Sequence, residues 1–310
     1  MAFYNSLSQK AFFNAGPFFH LYTKPLETEV YFHDDKERII ARNYIAMAAR
    51  ARERGCRLLA YSIMNNHFHF IIEGSQESVL AFFKRFSALM NTYFRYHGRG
   101  NLMAGVEAGL TEITTLSQLR NEIAYVIRNS FAARQDVNVF ADPWSTGFLY
   151  FNPMLSLEGI PASQLKGRAL REFTCSRNIS EVDGSIYVKD GQAQPWSFVD
   201  YKRAMSFYDN ARQFVASVMK NVEAMVELSL KYGEIPIFND DELYPVIFKL
   251  IRQEFRVEKL SDLDVQGKKK LAVLIKNRYA ASNGQIARLV GLPLKEVNPL
   301  FPMVAKDQIK

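Results

Sequence analysis

Cysteine and histidine are scarce in this chain, with 2 and 5 copies in 310 residues. Cys56 and Cys175 lie far apart and fit no metal-binding spacing. A disulfide framework and a thiolate metal centre are therefore not expected, and reduced thiols in a cytoplasmic protein are the default. No stretch approaches the ~20 consecutive apolar residues that span a bilayer, so no membrane partner is expected. The opening Met-Ala-Phe-Tyr-Asn-Ser has no charged leader followed by an apolar run, which argues against a secretory signal. Internal repeats and low-complexity tracts are also missing, which excludes a solenoid or a fibrous array.

What the chain does contain is core-forming material. Hydrophobic residues make up 48% and aromatics 13%, too much for a disordered polymer. The length allows about two domains. A formal net charge of +7 favours a polyanionic partner without naming one.

Hydrophobic periodicity supplies the element order. Residues 17–23 read as a strand. A helix follows from Asp34 or Asp35 to about 55, with Ile39, Ile40, Tyr44, Ile45 and Met47 as its apolar positions. Strands are expected at 57–64 and 66–73, and a second long helix begins at Ser75 or Ser78. A further strand fits within 102–113. Thr115-Leu-Ser-Gln118 has the form of a capping box ahead of a helix over 116–133. The fold class expected is α+β, a ferredoxin-like or RRM-like antiparallel sheet backed by helices, followed by a mostly helical C-terminal region. Domains are expected at 1–152, 153–235 and 236–310. The middle one holds a hairpin at Asp190-Gly191, between 185–188 and 196–198, and a long helix over 199–232.

Two of the five histidines stand in Met64-Asn-Asn-His-Phe-His-Phe-Ile-Ile72. On a strand, alternate residues share a face. His67 and His69 therefore point one way, and Phe68, Phe70 and Ile72 the other. A pair of imidazoles on a rigid strand can chelate a divalent metal, and it can equally be a hydrogen-bonded polar face. Asn65-Asn66 suits a tight hairpin, since Asn tolerates positive φ.

The 116–133 helix gathers Leu116, Leu119, Ile123, Val126 and Ile127 on one side. Tyr125 and Asn129 fall one turn apart on the polar side, with Gln118 and Glu122. His67, His69 and the Asn129 amide oxygen would make a mixed nitrogen–oxygen set for Mg²⁺ or Mn²⁺. Tyr125 would then stand beside a metal-held phosphate. An ordinary amphipathic surface tyrosine is the alternative.

The His-x-His segment resembles the Met-Pro-Asn-His-x-His signature of the single-tyrosine HUH transposases, which include the REP-associated tyrosine transposases. Ala124-Tyr-Val-Ile-Arg-Asn129 resembles their Tyr-Ile-x-x-Asn-Pro helix, and Asp142-Pro-Trp-Ser145 with Tyr150 resembles the segment closing their catalytic domain. The resemblance covers roughly residues 15–152. It implies an HUH endonuclease domain that cleaves and rejoins single-stranded DNA, usually beside a hairpin, through a 5′-phosphotyrosine link. It also implies metal ligation by His67, His69 and Asn129, and Tyr125 as nucleophile. Asn65 and Ser130 stand where the family has proline. Val106-Glu-Ala-Gly-Leu-Thr-Glu112 is acidic where the family often has a basic strand.

The second long helix carries Lys84, Arg85, Arg95 and Arg99 interleaved with Phe82, Tyr93, Phe94 and Tyr96. Phosphate pairing with base stacking is how single strands are gripped, and a solvated basic face is the alternative. His97 has no evident link to the His-x-His strand. Ser282-Asn-Gly-Gln-Ile-Ala-Arg-Leu-Val-Gly291 resembles the first helix and turn of a helix-turn-helix, with Lys268-Lys-Lys270 upstream and Pro299 interrupting the second helix. A plain helical packing module is the other reading of that region. The leading expectation is a transposase acting as monomer or homodimer. Two alternatives remain, a catalytically silent DNA-hairpin-binding regulator and a metal-binding protein unconnected with DNA.

Overall fold

The computed structural model describes residues 6–24, 30–50, 55–132, 138–177, 179, 182–220, 240–279 and 281–301. The chain divides into two compact units, Met1–Val218 and Met219–Lys310.

In the first unit the order is α1 (Leu7–Phe13), β1 (Phe18–Thr23), α2 (Asp35–Ala49), β2 (Arg57–Ile63), β3 (Phe68–Glu73), α3 (Gln76–Tyr96), β4 (Ala108–Ile113) and α4 (Leu116–Ala132). The four strands form one sheet in the order β2-β3-β1-β4, every pairing antiparallel. That is the ferredoxin-like arrangement, so the expected α+β class holds. Helix α1 was not foreseen.

Local chemistry accounts for the helix starts. The Asp34 side chain accepts the Glu37 N–H at 3.0 Å, and Ser75 accepts that of Ser78 at 3.2 Å. Thr115 accepts the Gln118 N–H at 3.1 Å, while the Gln118 side chain accepts from Thr114 rather than from the capping residue itself. Each bond satisfies a donor that has no partner within the helix.

The sheet has two unlike faces. Phe68 and Phe70 meet Phe82 and Phe86 of α3, with ring centroids 4.9–5.7 Å apart. The opposite face carries His20, His69 and Tyr22, and Tyr22 pairs across the strands with His69. Helix α4 covers this second face. It is buried on almost every side from Glu122 to Arg128, because residues after 198 close over its back. There the Arg120 guanidinium donates to the Phe207 carbonyl at 2.8 Å, and Arg128 donates to the Val218 carbonyl at 2.6 Å.

Beyond 152 lie β5 (Ile160–Pro161), α5 (Gly167–Thr174), β6 (Tyr187–Lys189), β7 (Gln192–Ala193), α6 (Pro195–Phe198), α7 (Tyr201–Met205) and α8 (Ala211–Lys220). Boundaries were expected at 152 and 235, whereas the compact unit runs on to Val218. Helix α2 explains why. The Asn43 amide donates to the carbonyls of Phe173 and Gly191, both at 3.0 Å, and accepts the Ala193 N–H at 2.8 Å. Tyr44 donates to the Thr174 carbonyl at 2.9 Å. The hairpin turns at Asp190-Gly191 with φ of 51° and 72°, as a two-residue turn requires. Its second strand is Gln192–Ala193, and 195–198 is helical. The long helix expected over 199–232 is broken at 206–210: Phe207 and Tyr208 turn inward, and Asn210 caps a new helix through the Gln213 N–H at 2.9 Å. The remainder of that expectation, from 221 onward, lies outside the described residues.

The second unit is helical, with α9 (Asp240–Phe255), α10 (Val265–Tyr279), α11 (Asn283–Val290) and α12 (Leu294–Val297). Ser282 and Gln285 cap each other at the start of α11, and Gly291 ends it in the left-handed region at φ 63°. The helix-turn-helix resemblance stops at α12. This element is a single turn of 4 residues, and a 3₁₀ turn containing Pro299 follows it. Among the described residues no helix is long and apolar enough to cross a membrane.

Candidate functional site

The β2–β3 turn holds Asn65 and Asn66, and the Met64 N–H donates to the His67 carbonyl at 3.0 Å. Neither Asn has positive φ, contrary to the reason expected for them. Both act through other groups. The Asn65 carbonyl accepts from the N–H groups of Tyr31 and Phe32, and its side chain accepts from Arg38. Asn66 Oδ1 accepts the Nδ1 proton of His67 at 2.8 Å. With Oδ1 of Asn66 as the acceptor, a neutral His67 ring donates from Nδ1 and leaves its lone pair on Nε2.

His67 and His69 stand edge to face with centroids 5.0 Å apart. They are only 7% and 0% exposed, because the side of α4 that reads as polar in the sequence lies against this face of the sheet. Tyr125 comes from that side. Its ring stands perpendicular to His69 at 5.5 Å and is buried. Asn129, one turn further along, is half-buried.

Sequence reasoning missed His20. It lies on β1, fully buried, with its ring 5.1 Å from His69 and 6.0 Å from Tyr125. One ring nitrogen lies 2.7 Å from a carboxylate oxygen of Glu122 and the other 2.9 Å from Nδ1 of His69. Glu122 had been read only as a polar-side residue of its helix. One histidine inside Phe-Phe-His-Leu-Tyr makes no pattern, and its alternation with Phe18 and Tyr22 was the available signal. Among the described residues no group of three or more His, Cys, Asp or Glu side chains could hold a metal ion. The chemistry still fits the expected set, which contains two imidazoles and an amide.

The Asp142-Pro-Trp-Ser145 segment fastens onto the free edge of β2. Ser145 bridges to Ser62, which pairs with His69 across the sheet. The Ile63 N–H donates to the Trp144 carbonyl at 2.9 Å, and the Asp142 side chain accepts the Trp144 N–H at 3.0 Å. Arg42 lies over the Trp144 ring at 4.9 Å and donates to the Pro143 carbonyl at 2.5 Å. Tyr150 donates to the Leu59 carbonyl at 2.6 Å. Burial pushes the hydroxyls of Tyr61 and Tyr150 up from the ordinary phenol range. This motif holds the edge of the sheet beside the histidines.

The basic residues separate into two groups. Lys84, Arg85 and Arg95 are exposed on α3, on the opposite side of the sheet from His69. Arg99 is a structural clamp: it donates to the carbonyls of Val30 and Tyr31 at 2.5 and 2.7 Å and pairs with Glu37 at 3.2 Å. Glu112 of the acidic segment pairs with Phe19 across the strands, so it too lies on the face away from the histidines. Thr111 and Gly109 take the histidine face.

No family model matches the chain, and no curated protein does. Among solved structures it is similar to a REP-associated tyrosine transposase bound to a REP hairpin. The match has 15% identity, a TM-score of 0.32, and covers 44% of this chain and 79% of that one. Likeness at that level carries no argument about activity.

Proposed function

We propose that the chain is a metal-dependent single-stranded DNA endonuclease and strand transferase of the tyrosine type. The observation that carries this reading is that the fold brings a residue distant in sequence to the histidine pair: the buried imidazoles of His67 and His69 stand 5.0 Å apart, and the Tyr125 ring, from α4, lies 5.5 Å from His69. His67, His69 and the Asn129 amide oxygen would hold a divalent cation, Mg²⁺ or Mn²⁺. Such an ion, when bound, supplies Lewis-acid polarisation of a phosphate.

The protein's own part is nucleophilic. A phenol is protonated at neutral pH, so the Tyr125 oxygen must lose its proton as it bonds to phosphorus. The bond to the 3′ oxygen breaks, that oxygen takes up a proton, and a 5′-phosphotyrosine and a free 3′-hydroxyl result. Attack by a 3′-hydroxyl reverses the step and rejoins a strand. Tyr125 is buried between α4 and the histidine face of the sheet, so a phosphate reaches its oxygen only when that packing opens.

That burial also favours a second reading, a hairpin-binding regulator on the same fold without turnover. One experiment separates the two. Labelled single-stranded DNA flanking a hairpin is incubated with the protein and Mg²⁺ or Mn²⁺, and covalent adducts are mapped by mass spectrometry. A nucleotide on Tyr125, lost in Tyr125→Phe, supports the transferase. Cleavage that persists in Tyr125→Phe overturns the tyrosine mechanism. Tight hairpin binding with no adduct leaves the regulator.

A further inference from the structure

Glu122, His20 and His69 form a buried row, each 0% exposed, drawn from α4, β1 and β3. The contacts are 2.7 Å from Glu122 Oε2 to His20 Nδ1 and 2.9 Å from His20 Nε2 to His69 Nδ1. An imidazole ligates a metal only through a nitrogen without a proton. What stands on Nδ1 of His69 therefore decides whether its Nε2 can ligate.

We infer that Glu122 and His20 are positioning residues that fix His69 with its proton on Nδ1 and its lone pair on Nε2. An ionised Glu122 accepts only, so His20 Nδ1 donates to it. A neutral His20 then has its lone pair on Nε2, and His69 must donate from Nδ1. In the reverse order, with His20 donating from Nε2, a neutral His69 would carry its proton on Nε2 and could not ligate there. His67 reaches the same state more simply, through Asn66. Two neighbouring imidazoles would thus present the same nitrogen, each set by a different support. Outer partners of this kind fix ring orientation and ligand basicity.

The inference rests on His69 being a metal ligand in the proposed function, and its test keeps the two apart. Long-range ¹H–¹⁵N NMR on the metal-free full-length protein reads which nitrogen of each histidine is protonated. We expect Nδ1 protonated and Nε2 bare in both His69 and His20. Glu122→Leu removes the acceptor, so His69 should become a tautomer mixture and Mn²⁺ affinity, followed by EPR, should fall about 10- to 100-fold. Glu122→Gln keeps size and an acceptor oxygen and should restore most of the affinity. A wild-type His69 protonated on Nε2, or a doubly protonated His20, overturns the inference without any variant. So does a tautomer that Glu122→Leu leaves unchanged in a folded protein. The expected tautomers in a wild type that binds no Mn²⁺ would keep the row and end the metal-dependent reading.

Discussion

The ring of Tyr22 lies directly across the α-carbon of Gly109, so close that a β-carbon there would come within 2.2 Å of its Cζ. Only glycine fits beneath it. The half-buried ring thereby rests 5.4 Å from His20 and, at an angle of 17°, 6.3 Å from His69. A glycine that weakens β4 as a strand lets the neighbouring strand roof the histidine row.

Gly109→Ala should therefore swing Tyr22 off its seat and lower stability by roughly 1–3 kcal/mol, the usual cost of overpacking. Adding Tyr22→Ala removes the clash, so the double variant should lose less than the sum of the two single ones. Denaturant unfolding of all three proteins measures this. Additive losses would show that the ring does not depend on the glycine.

The burial of the histidines sets a second expectation. Side chains on a solvated strand could be removed with little effect on folding. His69, fully buried and bonded to His20, cannot. His69→Ala leaves a cavity and a broken buried row, at a cost of roughly 2–4 kcal/mol. His67, at the turn and 7% exposed, should cost about 1 kcal/mol. Equal midpoints for the two variants in urea would contradict this.

The same contrast shows what was legible in the sequence. Periodicity gave the strands and helices of the sheet because it reports which residues share a face. It does not report what lies opposite that face. The Gln118–Glu122–Tyr125–Asn129 side of α4 looked solvated because polar residues usually are, yet it meets the polar face of the sheet. Motif and spacing singled out His67, His69 and Tyr125 as candidates, while His20 carries no motif and became visible only through strand pairing. Arg99 looked like its basic neighbours until its carbonyl partners near Tyr31 were seen. The broken helix at 206–210 turned on Phe207 and Tyr208 pointing inward, which depends on tertiary packing.

Glu73, at the end of β3, predicts a pH dependence. Burial by itself would raise its carboxyl. Hydrogen bonds and charge from Arg203, the Gly16 N–H and Arg57 outweigh burial and hold it below the usual range. A depressed folded pKa stabilises the fold above the unfolded value of about 4.3, and that contribution is lost as pH falls through the folded value. Glu73→Gln should thus be less stable than wild type at neutral pH, and the gap should narrow toward about pH 3. A constant gap across this range would assign the loss to packing instead of charge.

The basic residues on α3 and just beyond it differ in what they touch. Arg99 is fastened to two backbone carbonyls and to Glu37, so its charge is already satisfied within the fold. Arg99→Ala should lower stability by about 1–3 kcal/mol, as expected when buried carbonyls lose a charged donor. Its effect on DNA affinity, measured on protein that remains folded, should be small. Lys84, Arg85 and Arg95 are exposed, and replacing them by alanine should leave the unfolding midpoint almost unchanged. If their face tracks a phosphate backbone, the triple variant should bind single-stranded DNA more weakly. Its slope of log affinity against log salt should also be shallower by about 2, since each phosphate contact on a single strand contributes about 0.7. Binding titrations from low to moderate salt give that slope. An unchanged slope would remove α3 from the DNA-binding surface. The proposed function would then require the histidine face, on the other side of the sheet, to grip the strand with groups of its own.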